Sequence, residues 1–248
     1  MTDSGFSLAE QRFLESGDSS GIGAAIATRL ANAGATVVVV SRSGGLPEST
    51  GTMYSLVADL SAPEETDTVI EKTVDILGGL DVLVNNVGRG DTIPFVDIDR
   101  DYFNAYIGLN LWVPLRLCQH AYEYLAQSSD PSVVMIGSVD AERPSPGSVV
   151  YGATKGALSA AIVALSKEWM AAGIRVNQVN PGLVDTQLTS EIVRSLEGSG
   201  ESINIAGRVG LPDEIAGLVH YLVAPVGRFA NGASFRICLL YTSPSPRD

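Results

Sequence analysis

Ser16-Gly17-Asp18-Ser19-Ser20-Gly21-Ile22-Gly23 stands between a short possible strand at residues 12–15 and a helical pattern that begins near Ile22. Glycines at 17, 21 and 23 permit a tight strand-to-helix turn and let backbone N–H groups approach an anion, whose charge is favoured at the positive end of a helix. A loop in this setting is the expected cradle for a dinucleotide pyrophosphate. Glycines can also simply build a turn, so the loop gains its meaning from the chain around it.

Outward from the loop, short runs rich in Val and Ile recur at 36–40, 53–57, 81–84, 132–136, 174–179 and 234–237. Apolar on both faces and bounded by Gly, Pro or Asp, they suit strands of a parallel sheet buried between helix layers. Between them, residues 23–33, 63–77, 101–127, 151–172 and 212–223 carry apolar side chains at helical spacing. The alternation predicts an α/β fold: one domain, a Rossmann-type doubly wound parallel sheet with helices on both faces. Such a sheet binds ligands at the carboxyl ends of its strands. The irregular stretch 185–207 is expected to cover that edge as a lid or a small extra helix.

Composition sets limits on function. With 248 residues, 45% hydrophobic and 18% charged, and no Pro/Ser/Gly-rich linker in the middle, the chain reads as one globular domain. A net charge of −12 argues against nucleic acid or an anionic membrane as partner, since both need a basic footprint. Cys118 and Cys238 make no disulfide framework, and residues 1–11 have no basic region followed by an apolar run. No segment reaches the roughly 18 apolar residues of a membrane span, so a soluble cytoplasmic protein is expected. His120 and His220 fall within helical patterns and read as structural residues; no metal is called for.

Tyr151-Gly-Ala-Thr-Lys155 opens the 151–172 pattern and puts both side chains on one helix face, one turn apart. A phenol with a pKa of about 10 is a poor acid or base at neutral pH, but an adjacent ammonium and a cationic nicotinamide favour its ionised form. Gly137-Ser138 closes the 132–136 strand, which places the Ser138 hydroxyl at the sheet's carboxyl edge, where it can hold a substrate oxygen. A Tyr and a Lys one turn apart occur on many helices; the order of the motifs is what selects the chemical reading. After the second strand come Ser41, Arg42 and Ser43, where an adenosine ribose belongs. An acid there would bind the 2′-hydroxyl of NAD, whereas Arg42, with Ser41, predicts NADP(H), with NAD(H) as the alternative. Such a position can also hold a plain solvent-facing arginine.

Taken together, the motifs resemble the common cytosolic branch of the short-chain dehydrogenase/reductase family over residues 6–237. Asn85-Asn86-Val87-Gly88 resembles the family's N-N-A-G element, which supports the central strand and runs along the cofactor. Asp59, followed by Leu60, matches the acid that meets the adenine amino group. Asn110, in Gly108-Leu-Asn-Leu111, matches the fourth catalytic residue, whose backbone distorts its helix and whose side chain holds a water in a proton relay to Lys155. Asn180-Pro-Gly-Leu-Val-Asp-Thr186 resembles the P-G loop, with Pro181, Gly182, Val184 and Thr186 near the nicotinamide carboxamide and phosphate. The cofactor set is completed by Gly17, Ser19, Ser20, Gly21, Ile22 and Gly23.

The resemblance implies an oxidoreductase that transfers hydride between nicotinamide C4 and a carbonyl or secondary alcohol. Tyr151 would act as general acid or base, Lys155 would lower its pKa and bind the nicotinamide ribose, Ser138 would polarise the carbonyl and Asn110 would order water. In many relatives the helices at 101–127 and 151–172 pair into a four-helix contact, so a homo-oligomer, dimer or tetramer, is implied.

The chain also departs from the family pattern. Glu15 falls in a buried strand, where a carboxylate is costly, and Asp18 brings negative charge to the phosphate loop. After Ile237 the family's Asp-Gly-Gly is replaced by Cys238-Leu-Leu-Tyr-Thr-Ser-Pro-Ser-Pro-Arg-Asp248, which matches an in-frame translation of a transposase sequencing adapter. Residues 238–248 are therefore read as an artefact tail, and the native C-terminus is expected to differ. The competing function is a dinucleotide-binding sensor or scaffold with weak turnover; an epimerase or a methyltransferase fits less well. The substrate pocket is expected along Val139, Asp140, Gly147, Ser148, Leu183 and 188–205, with Ile93 and Pro94. Arg143 is the single candidate there for an anionic substrate group.

Overall fold

A computed structural model describes residues 5–17, 20–191, 193–194 and 206–239. Seven strands, β1 (Arg12–Ser16), β2 (Thr36–Ser41), β3 (Thr52–Val57), β4 (Val82–Asn85), β5 (Ser132–Ile136), β6 (Arg175–Pro181) and β7 (Ser234–Ile237), form one sheet in the order β3-β2-β1-β4-β5-β6-β7. Every neighbouring pair is parallel. Strand order reverses between β1 and β4, so the crevice of a doubly wound sheet opens above Ser16 and Asn85, which share a register position.

The period-2 alternation of a strand explains why its runs are apolar throughout. Val37 and Val39 of β2 face the layer built by α1 (Gly21–Asn32) and α6 (Pro212–Val223), where Ile26, Leu30, Ile215 and Val219 are fully or almost fully buried. Val38 and Val40 face the opposite layer, packed with Val69 and Ile70 of α2 (Pro63–Leu77), Leu117 of α4 (Val113–Leu125) and Ile162 of α5 (Val149–Glu168). Each such side chain withdrawn from water contributes roughly 1.5–3 kcal/mol.

Burial on both faces does not extend to every strand. β3 lies at one edge of the sheet, where Tyr54 is 46% and Val57 63% exposed, and β7 lies at the other. An edge strand has a neighbour on one side alone, and the helix layers cover it only in part: Met53 and Leu56 of β3 pack against them half-buried. The 101–127 pattern also proves to be two helices. α3 (Arg100–Ile107) and α4 are joined by a π-helical turn, Gly108–Trp112. The periodicity hides this because one wide turn shifts the apolar face by only a single residue. α5 begins at Val149, slightly before Tyr151. Val149–Ala172 is long and apolar enough to cross a membrane by length and composition, with mean hydropathy 1.4. Here it is the helix that covers β6 and carries Lys155, Leu158 and Ile162 inward.

Candidate active site

The first turn of α1 meets the crevice directly. Ser20, in extended conformation before the helix, makes no side-chain cap bond, and no acidic residue occupies the first turn. Orphan N–H groups there are available to an anion. Gly21 has φ +57, a conformation that favours glycine, and a β-carbon added there would stand 3.2 Å from Thr186 Cγ2. Ser16 ties the loop to the next strand: its hydroxyl donates to the Val84 carbonyl at 3.3 Å, while the Asn86 N–H donates to the Ser16 carbonyl at 2.9 Å. Glu15 is fully buried in β1, next to this turn.

Above the crevice lies a cleft of about 630 Å³, within the roughly 300–1,000 Å³ range of ligand sites. Among the residues expected to hold a cofactor, Gly17, Ser20, Gly21, Ile22, Gly23, Ser41, Arg42, Asp59, Leu60, Asn86, Val87, Gly88 and Thr186 line it. Pro181, at the end of β6, does not, and Gly182 and Val184 line a separate cavity of about 110 Å³ with Gly210, Glu214 and Ile215. Val184 is held there by a bridge to Gly210. Ser19 and Asp18 of the loop, and 195–205 of the expected lid, lie outside the described residues.

At the far end of the cleft, Asp59 accepts bonds from the Ser61 hydroxyl at 2.7 Å and the Ser61 N–H at 2.9 Å. These bonds, with a smaller contribution from the Arg42 charge, hold its carboxyl below the usual range. Arg42 is exposed beside it and Ser41 is buried. A pocket with a fixed carboxylate at one point and a free guanidinium at another suits an adenine and a phosphorylated ribose, so the residues present fit a dinucleotide.

Ser138, Tyr151 and Lys155, the residues expected to handle the proton, converge beside this cleft. Ser138 follows β5 and accepts from the Asp140 N–H at 3.1 Å; its hydroxyl also bonds Tyr151. Burial pushes the Tyr151 phenol up to about 12, the Ser138 bond opposes that rise, and the Asp140 charge adds to it. Lys155 is buried, and burial lowers its ammonium to about 8. It donates to the Ile136 carbonyl at 2.9 Å, with its Nζ 5.8 Å from the Tyr151 ring centroid. Burial, and not the neighbouring ammonium, therefore dominates the phenol in the protein alone.

Asn110 is fully buried in the π-helical turn, so its helix is distorted as the resemblance implied. Its side chain also ties down a loop, which the resemblance did not indicate: Oδ1 accepts from the Arg89 N–H at 2.9 Å and Nδ2 donates to the Arg89 carbonyl at 2.9 Å. The other end of that loop is pinned by Tyr106, whose hydroxyl donates to the Asp91 carboxylate and accepts from the Asp91 N–H at 2.7 Å.

Sequence reading missed Arg89, which lines the cleft with Leu109, Gln187 and Leu188. Its guanidinium lies 4.7 Å from the Tyr106 ring centroid and 3.5 Å from Asp91. Its place directly after Gly88 was the available signal. On the substrate side, the Ile93 N–H donates to the Gly147 carbonyl at 3.2 Å, bracing two of the expected pocket segments together, while Arg143 is exposed. His220 bonds the Phe6 carbonyl and His120 bonds Asp67. Cys118 and Cys238 are free, and burial pushes the Cys118 thiol up to about 12.

Sheet order, glycine turn and crevice together define a doubly wound Rossmann-type fold. The family model described as enoyl-(acyl carrier protein) reductase matches residues 17–238. An uncharacterised oxidoreductase of Methylorubrum extorquens is 34% identical over 230 residues, 87% of this chain and 91% of that protein. A dehydrogenase/reductase from Sinorhizobium meliloti superposes with a TM-score of 0.83 at 32% identity, covering 95% of this chain and 96% of its own. A 3-oxoacyl (acyl-carrier-protein) reductase from Agrobacterium tumefaciens, solved with NADP bound, superposes with a TM-score of 0.87 at 27% identity, covering 97% and 98%. The chain belongs to the short-chain dehydrogenase/reductase family and is an oxidoreductase.

Proposed function

We propose that this protein is an NADPH-dependent reductase of small or medium carbonyl compounds, or the reverse dehydrogenase of the corresponding secondary alcohols. The observation that carries the reading is the convergence of Ser138, Tyr151 and Lys155 on one point beside a cleft that fits a dinucleotide. When bound, the nicotinamide supplies the hydride; the protein supplies position and the proton. Tyr151, kept protonated by burial, is suited to donate its proton to a carbonyl oxygen that Ser138 holds. Lys155 holds the end of β5 in place and offers its remaining N–H groups to the ribose hydroxyls.

Asn110 acts through the loop: by fixing Arg89 it sets Gly88 against the Lys155 side. Arg42 is the residue assigned to the 2′-phosphate, consistent with the NADP of the Agrobacterium tumefaciens protein. Exposed Phe103, Trp112 and Val163 on α3, the π-helical turn and α5 support a homo-oligomer formed through those helices. The test is a panel of ketones and secondary alcohols followed by NADPH and NADH absorbance. Oxidation of NADPH by at least one ketone is expected. NADPH binding with no turnover across the panel would favour a dinucleotide-binding sensor.

A further inference from the structure

We infer that Gly90 sets the size of the group that can flank the reacting carbon, by leaving a slot open between the Tyr151 phenol and Leu188. This rests on the carbonyl-reductase reading and deepens it. A β-carbon added at Gly90 would stand 3.5 Å from Tyr151 Cε2, 3.7 Å from Cζ, the carbon that bears the hydroxyl, and 3.7 Å from Leu188 Cδ2. These are ordinary contact distances, so an alanine fits the folded protein. The volume it takes is nevertheless volume next to the atom that meets the substrate oxygen.

The loop cannot step back to restore that space. On one side Asn110 bonds both backbone groups of Arg89; on the other Tyr106 bonds the Asp91 backbone and side chain. Further along, Ile93 is tied to Gly147, at the edge of the segment leading into α5. Gly90 is thus held at both ends with its open face toward Tyr151. Packed protein of this kind transmits one added methyl group as lost substrate volume.

The test compares ketone pairs that differ only in the size of one flanking group, for example a short alkyl methyl ketone and an aryl methyl ketone. In Gly90→Ala, and further in Gly90→Val, kcat/KM for the larger member should fall at least roughly tenfold relative to the smaller. Leu188→Ala added to Gly90→Val should restore much of that ratio. NADPH affinity of Gly90→Ala and Gly90→Val, read by fluorescence titration, should stay within about threefold and reports that these two variants fold. Binding of the same ketones to the NADPH complex of Tyr151→Phe, with and without Gly90→Val, reads the slot without turnover. Size-independent losses in both measurements, or none, overturn the slot; absence of wild-type turnover with size-dependent binding overturns the reductase reading alone.

Discussion

The Lys155 ammonium donates to the carbonyl oxygen of Ile136 at 2.9 Å, just upstream of Ser138. One buried cation therefore fastens the helix that carries Tyr151 to the strand end that carries Ser138. The bond compensates a charge that burial would otherwise drive out.

Burial lowers Lys155 from 10.5 to about 8. Between those values the unfolded chain binds a proton that the folded chain releases, so this residue makes stability rise with pH from about 8 to about 10.5. Below that window both states are protonated and the full cost of the buried charge is present. Lys155→Met should be stabilised relative to wild type at neutral pH by up to about 3 kcal/mol, less about 1 kcal/mol for the lost bond to Ile136. That advantage should shrink toward pH of about 10. Urea unfolding across the window measures it, and a pH-independent difference contradicts the assignment.

Arg42 lines the cleft, is exposed, and is the residue proposed to meet the cofactor's 2′-phosphate. Arg42→Ala is expected to raise the NADPH Michaelis constant roughly 10- to 100-fold, and that of NADH less than about threefold, because it removes a charge-assisted bond made to the phosphate alone. Equal changes for both cofactors would remove the basis for NADP preference.

Asn110 is fully buried and meets two backbone groups of Arg89. Asn110→Leu strands both, at about 2–4 kcal/mol, which corresponds to a fall in melting temperature of roughly 5–10 °C for a protein of this size. Asn110→Asp keeps the acceptor for the N–H and should recover part of the loss. Calorimetry on the set decides; a melting temperature unchanged in Asn110→Leu contradicts the loop-locking role.

Gly137 is the counterpart of Gly90 in steric terms. A β-carbon there would overlap Asn180 Oδ1 and Gln178 Nε2, which fill the space beneath the β5 end. Gly137→Ala should destabilise by about 1–3 kcal/mol or more through overpacking, and Asn180→Ala in the same chain should relieve it. Chemical denaturation of the single and double variants reads the coupling; additive effects would show that the overlap is absorbed elsewhere.

Much of this was legible in the sequence because it depends on local rules. The α2 and α6 bounds and those of β5 and β7 coincide with their apolar patterns, and Ser138, Tyr151 and Lys155 converge because a doubly wound sheet gathers its strand ends. What stayed hidden depends on long-range fit. Nothing in the 101–127 periodicity marks the π-helical turn, from which Asn110 bonds a loop on another element. Arg89, Asp91 and Tyr106 have no local pattern linking them, and the edge exposure of β3 follows from strand order, which a run of apolar residues does not encode.

In the proposed mechanism Tyr151 gives and takes the proton. The direct measurement is kcat/KM of Tyr151→Phe with any ketone the wild type reduces, alongside NADPH affinity. Removing the hydroxyl should cost about 10²- to 10⁴-fold in kcat/KM while NADPH binds within about threefold of wild type. Wild-type turnover by Tyr151→Phe would contradict the account.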